Sequence, residues 1–112
     1  MTVSVNVLIA AKQAENSQTT QYTVPTGAKA TIDKFTVTNS TVGAVTFAIN
    51  LVTSGDTAGA DNLVLDDKSI AAGETYTCPE AVGHVLGPGD FISTLAGAAA
   101  SLTIRASGRV IS

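Results

Sequence analysis

The sequence contains no tryptophan, only one cysteine and one histidine, and just 13% of its 112 residues are charged. A single cysteine excludes an internal disulfide, so the fold has to be stabilised by packing. Ordinary soluble proteins carry roughly 25% charged residues. A domain with so few charges must expose serine, threonine, alanine and glycine, or bury part of its surface against other copies of itself.

Basic residues are also scarce, since six lysines and arginines, scattered along the chain, stand against nine acidic residues. Nucleic-acid binding needs clustered cations that neutralise phosphates, so this composition argues against a nucleic-acid partner. No apolar run approaches the ~20 residues of a membrane-spanning helix. The first residues lack the basic start of a signal peptide. We therefore expect synthesis in a cytoplasm and no membrane partner.

The residue types that usually perform chemistry do not form a catalytic or metal-binding pattern. Asp56 and Asp61 lie in a polar loop, but the alternating oxygen ligands and closing glutamate of a calcium loop are missing. Cys78 and His84 have no orienting acid or helix start nearby, and Cys78 is expected to be a small buried side chain. The sequence predicts no enzyme activity, no cofactor and no metal site.

The stretch 31–53 gives the clearest structural signal, because apolar residues alternate with small or polar ones in both of its halves. A period of two is typical of a strand with one apolar face. The polar segment 39–43 ends in glycine and favours a β-turn. These features predict a central β-hairpin in which 28–39 pairs with 44–53.

Further strands are predicted on both sides of this hairpin. They cover 2–11, 18–24, 63–65, 69–78, 91–96 and 101–106. The segment 69–78 contains a tight glycine turn between two strands. The last strand continues to residue 111 past a bulge at Ser107–Gly108. The segment 101–106 is expected to pair back onto 91–96, and Asp66–Lys68 to form a turn. Residues 1–11 form either a first strand or an extended arm.

Turn signals every eight to twelve residues are typical of a β-sandwich or barrel. We predict one all-β domain over residues 1–112, a single antiparallel sandwich of about eight strands, jelly-roll or immunoglobulin-like. The predicted core consists of Val3, Val5, Val7, Phe35, Val37, Val45, Phe47, Ile49, Leu51, Phe91, Leu95, Leu102 and Ile104.

Apolar residues in two segments are candidates for a contact surface. The segment 79–86 places valines and a leucine around the only histidine, and a contiguous apolar patch on a small domain usually marks a contact site. The first strand is apolar enough to reach a neighbouring protein. The predicted interface residues are Val3, Val5, Pro79, Val82, His84, Val85 and Leu86.

Three segments resemble small virion-associated proteins of tailed bacteriophages and prophages: VPTGAKATIDKFTVTNST (24–41), SIAAGETYTCPEAVGHVLGPGDFIS (69–93) and LTIRASGRVI (102–111). The likeness covers most of the chain from Gln21 onward. It implies a structural protein that decorates or cements the head shell as a trimer or dimer by binding the major capsid protein. A neck, collar, tail or baseplate component is the alternative. A carbohydrate-binding module ranks lower, because Tyr22 and Tyr76 are the only tyrosines that could form a sugar platform.

Overall fold

Nine β-strands in two antiparallel sheets make up the computed structural model, which describes residues 1–112. In chain order they are β1 (Val3–Gln13), β2 (Thr19–Thr23), β3 (Lys29–Asn39), β4 (Val45–Val52), β5 (Leu63–Ile70), β6 (Thr75–Tyr76), β7 (Val85–Leu86), β8 (Phe91–Ala96) and β9 (Leu102–Ile111). The helical element is a 3₁₀ turn at Ala60–Asn62, far short of the length and hydrophobicity that a membrane-spanning helix needs. The predicted all-β sandwich is confirmed.

The topology places the first strand beside the last. Sheet I has the order β1-β9-β3-β6, with β7 also pairing with β3, and sheet II has the order β2-β8-β4-β5. The antiparallel pairs include β1 with β9, β2 with β8, β3 with β6 and β7, and β4 with β5. This is the jelly roll, a long hairpin rolled up so that its pairs alternate between two sheets. In an immunoglobulin constant-type sandwich the first and last strands lie in different sheets.

Three predicted hairpins are wrong, although their strands are present. The strands β3 and β4 lie in different sheets, as do β5 and β6, and β8 and β9. The connections 40–44, 71–74 and 97–101 therefore cross from one sheet to the other. Alternation of apolar residues indicates which side of a strand is buried, but it carries no information on which strand lies next to it.

Local irregularities also differ from the predictions. The segment Asp66–Lys68, predicted as a turn, lies inside β5, where Asp67 adopts a left-handed φ of 43° beside a register shift. Residues Ser107–Gly108 continue β9 without a break. The register shifts lie in its two partners, between Val7 and Ile9 and between Ile9 and Lys12 of β1, and between Ile32 and Lys34 of β3.

The core lies between the sheets and is centred on Phe35 of β3 and Phe47 of β4, whose ring centroids are 6.2 Å apart. Of the predicted core residues, Phe35, Val37, Phe47, Ile49, Leu102 and Ile104 are buried, and Val45, Leu51, Phe91 and Leu95 are half-buried. The aromatic pair therefore joins one strand of each sheet.

The N-terminal half of β1 faces outward, so the prediction that Val3, Val5 and Val7 belong to the core is wrong. These side chains are 52%, 84% and 51% exposed, whereas Leu8 and Ile9 are buried. The bulge after Val7 inserts one extra residue into the strand. Because side chains alternate with a period of two, one extra residue moves every following side chain to the opposite face.

Candidate interaction surface

The outer face of sheet I runs without interruption across four strands. Val5 of β1 lies opposite Arg109 of β9, Arg109 lies opposite Thr31 of β3, and Thr31 lies opposite Val85 of β7. Directly opposed residues share a face, so Val5 and Val85 stand in one row, three strand spacings or about 14 Å apart. Their side chains are 84% and 64% exposed. The structure thus brings together valines from the two segments that the sequence singled out.

The other predicted interface residues are distributed around this face. Val3 lies in the next row, opposite Ile111 of β9. Pro79 and Val82 line a shallow depression with Asp33 and Lys34 at the β3 bulge. The role of these exposed residues in an interface stays a prediction.

Two predicted interface residues, Leu86 and His84, do not lie on the outer face of sheet I. Leu86 is 3% exposed and packs into the core, so it cannot contact a partner at the surface. His84 is exposed and lines a separate groove of about 330 Å³ with Asp61 and Asp90. The backbone on either side of it is fixed to β3, because Gly83 N–H donates to the carbonyl of Ile32 at 2.7 Å and Ile32 N–H donates to that of His84 at 3.2 Å.

Four of the six basic residues lie on the outer face of sheet I, although they are scattered in sequence. Lys29 and Lys34 come from β3, and Arg105 and Arg109 from β9. The one acidic side chain there is Asp33. Four cations against one anion give this face a charge of +3, while two cations against eight anions give −6 over the rest of the molecule. The protein is therefore strongly dipolar despite its small net charge.

Sequence reasoning missed this cluster because it requires two strands to be neighbours and to be in the right register. The separation of Arg105 from Arg109 by four residues does place them on one face of a strand. The separation of Lys29 from Lys34 by five residues predicts opposite faces, and only the β3 bulge at Asp33 restores them to one.

An ion pair organises the centre of the face. The guanidinium of Arg109 donates from Nε to Oδ2 of Asp33 at 3.0 Å and from Nη2 to Oδ1 at 3.0 Å. The hydrogen bonds to Asp33 raise the pKa of Arg109 above its usual range. Both side chains are about half exposed, so the pair orients Arg109 rather than contributing much to folding. Lys29, Lys34 and Arg105 keep their charges free for a partner.

The outer face of sheet II is different, because the loop 53–62 covers part of it. Buried Asn50 donates from Nδ2 to the carbonyl of Gly59 at 3.0 Å and to Oδ1 of Asn62 at 2.7 Å. Gln18 Nε2 in turn donates to Oδ1 of Asn50 at 3.2 Å. The predicted polar loop is present, with Asp56 and Asp61 exposed, but it is anchored to the sheet. Sheet I is thus the sheet with an open outer face.

Cys78 and His84 do not form a nucleophile and base. Cys78 is buried, as predicted, and its thiol donates to the carbonyl of Tyr76 at 3.9 Å, whereas His84 is exposed. Burial and then the nearby Glu80 raise the pKa of Cys78 to about 12, the opposite of what an active thiolate needs. No three His, Cys, Asp or Glu side chains are grouped to hold a metal ion.

Alkaline pH should destabilise the protein through Cys78 and Tyr76. The Tyr76 hydroxyl donates its one proton to the Glu80 carboxylate, whose two oxygens lie 2.7 and 2.8 Å away, and this raises the pKa of Tyr76 to about 12. Both groups hold their protons to higher pH when folded than when unfolded. Their stabilisation is therefore complete below about pH 9 and is lost as the pH rises toward about 12.

Urea unfolding at about pH 8 and about pH 10.5 measures this loss, and we expect a lower free energy of unfolding at the higher pH. Replacing Cys78→Ala should flatten the dependence, even though the cavity lowers stability at both pH values. Equal slopes for the wild type and the variant would show that Cys78 does not contribute.

Together, the fold and surface define a small jelly-roll domain with one open outer face. Chains with a similar fold occur in the structure of the T13 infectious bursal disease virus particle (TM-score 0.57, 9% identity) and in those of the Gt strain (0.53, 13%) and the Gx strain (0.52, 14%). Each match covers 97% of this chain but only 30%, 32% and 32% of the other, so this chain spans about a third of their length. No protein-family model and no curated protein matches the sequence. At these identities the likeness shows a shared fold.

Proposed function

We propose that this protein is a structural component of a viral particle, and specifically a decoration or cement protein on the head of a tailed bacteriophage. The observation that carries the proposal is the jelly roll, shared over 97% of the chain with chains from infectious bursal disease virus structures. The resemblance of 24–41, 69–93 and 102–111 to virion-associated phage proteins supports the bacteriophage assignment. In this role the chain self-associates and binds the major capsid protein on the outside of the shell.

The outer face of sheet I is the surface that we assign to shell binding. Its free cations Lys29, Lys34 and Arg105 lie among threonines and next to exposed valines. Complementary charge steers association and fixes orientation, while apolar contact supplies affinity. The cations lie on the central strands β9 and β3 and the valines on the flanking strands β1 and β7, so the partner surface should be acidic at its centre and apolar on either side. The acidic remainder of the molecule then faces solvent.

Co-sedimentation with purified shells tests this assignment. The double variant Lys29→Glu with Arg105→Glu reverses two charges of the face, and we expect shell binding to weaken at least about 10-fold. The control is Lys68→Glu, which makes the same type of change on β5 of sheet II. Binding of the wild type should also weaken with added salt.

Other results would overturn the proposal. Equal loss of binding in the double variant and the Lys68→Glu control would exclude sheet I as the docking face. Mass spectrometry of purified heads and tails decides the location, and presence in tails alone would make the chain a tail component. Tight binding to duplex DNA without shell binding would assign the basic face to nucleic acid instead.

A further inference from the structure

The first residues of β1 form an open sheet edge with defined hydrogen-bonding groups. Thr2 and Ser112 exchange two backbone hydrogen bonds, of 2.7 and 2.9 Å, and so form a hydrogen-bonded antiparallel pair. Such pairs alternate along a ladder with pairs whose N–H and C=O groups point away from the partner strand. Val3, Val5 and Val7 are the alternate residues. Their backbone groups therefore point out of the sheet edge, and their side chains lie on its outer face.

The other sheet edges carry features that oppose pairing. At the far edge of sheet I, β6 and β7 are two residues long. In sheet II, β2 has five residues and a register shift, and β5 carries the exposed charges 66–68 beside a register shift. Short strands, bulges and charges are the usual protection of sheet edges. The segment 3–7 belongs to a strand of eleven residues, has no charged side chain and pairs with β9 without a register shift as far as Val7.

We propose that the edge of β1 pairs with the same edge of a second copy of this chain, antiparallel about a two-fold axis at Val5. In this arrangement Val5 lies opposite Val5 of the second copy, Val3 lies opposite its Val7, and Ser4 lies opposite its Asn6. Val3, Val5 and Val7, whose backbone groups point out of the edge, then each exchange two backbone hydrogen bonds with the residue opposite in the second copy, about six in total. The bulge after Val7 ends the ladder on each side.

A second copy fits this edge because the segment is symmetric about its centre. Valine, polar residue, valine, polar residue, valine reads alike in both directions, so an antiparallel copy matches valine with valine. No side chain from residue 1 to residue 11 is charged. The nearest cation, Arg109, is paired with Asp33 and would lie about 14 Å from its symmetry mate, beyond the Debye length of about 8 Å.

Closure also favours a second copy over an unrelated strand. A pairing strand needs an open edge of its own, and this chain offers one such edge. A two-fold pair uses that edge once in each copy, so the assembly closes as a dimer instead of growing. This inference rests on the proposed function for its purpose, since a dimer can bridge neighbouring positions on a shell.

Sedimentation velocity of the untagged chain over a range of concentrations tests the dimer, with Val5→Pro as the disrupting variant. Proline removes the N–H of Val5, which makes no hydrogen bond to β9, so the variant should fold like other edge-strand prolines. We expect dimerisation to weaken at least about 10-fold. The control Val5→Thr retains the N–H and a β-branched side chain and should dimerise like the wild type.

Charged side chains introduced at Val5, on the two-fold axis of the proposed dimer, test the register of the pairing. The variants Val5→Lys and Val5→Glu each place like charges directly opposite each other, so each alone should be monomeric, and a mixture should form the mixed dimer. Hydrogen exchange should show concentration-dependent protection of the amides of Val3, Val5 and Val7. These variants alter an exposed side chain, and far-UV circular dichroism verifies that they fold.

Each outcome is decisive. A wild type that stays monomeric, or a mixture of the two charged variants that does not associate, overturns the inference. If the amides of residues 3–7 are protected from hydrogen exchange only when the chain is bound to shells, the edge of β1 pairs with a strand of the capsid. That result would also overturn the inferred dimer. All dimer measurements use the isolated protein, so their failure is distinct from failure of shell binding, which is measured with particles.

Discussion

Replacing Gly108→Ala should lower the free energy of unfolding by about 3 kcal/mol or more. Gly108 lies in β9 between the bulged parts of β1 and β3. A Cβ atom there would overlap the carbonyl oxygen of Thr31 and lie 3.0 Å from its carbonyl carbon and 3.1 Å from Cδ1 of Leu8. The carbonyl belongs to a strand backbone in the centre of sheet I, so relief requires β3 to move away from β9.

Urea and thermal unfolding measure this effect, and the melting temperature should fall by more than about 10 °C. Gly43→Ala is the matched control, because a Cβ atom at Gly43 meets no other atom within 4 Å. We expect it to change stability by less than about 0.5 kcal/mol. A Gly108→Ala variant as stable as this control would show that sheet I accommodates the methyl group.

The second large effect is expected from Asn39, a buried side chain that joins three segments. Its Nδ2 donates to the carbonyls of Gly43 and Ile70, both at 2.8 Å, and its Oδ1 accepts from Thr41 N–H at 2.9 Å and from Thr41 Oγ1 at 2.7 Å. Asn39→Ala leaves these groups without partners and creates a cavity. We expect a loss of about 3 kcal/mol in the free energy of unfolding.

Asn39→Asp separates the two causes, because it preserves shape but cannot donate to the two carbonyls while ionised. It should be about as destabilising as Asn39→Ala near neutral pH. Asn16→Ala is the control, because Asn16 is exposed. Urea unfolding of the three variants provides the comparison, and a stable Asn39→Asp variant would mean that the donated hydrogen bonds matter little.

The buried asparagines illustrate what alternation alone fails to detect. Asn39 and Asn50 look like ordinary loop-forming or strand-surface residues in the sequence, yet both are buried. Asn39 fixes the crossing from sheet I to sheet II, and Asn50 holds the loop 53–62 on sheet II. Their roles depend on carbonyls from other segments, and the sequence does not show which segments meet.

The candidate surface was predictable in part. Exposed valines in two distant segments were singled out from the sequence, and the pairing of β1 with β9 and of β7 with β3 brings Val5 and Val85 into one row. The basic cluster was not predictable, because its residues come from β3 and β9. The paired residues Thr36 and Arg105 are 69 positions apart in the chain, and only tertiary pairing makes these strands neighbours. Leu86 shows the reverse case, an apolar residue of the same segment that turns inward.

The alternation of aliphatic and polar side chains by itself determined that this chain forms strands, about where they lie and that they stack in two layers. The tertiary structure decided which strands pair, and hence that the sandwich is a jelly roll. It also decided that a single extra residue in β1 turns three valines from the core to the surface. The physical reason is that side-chain alternation is a local property, whereas strand pairing and bulge position depend on hydrogen bonds between residues far apart in the chain.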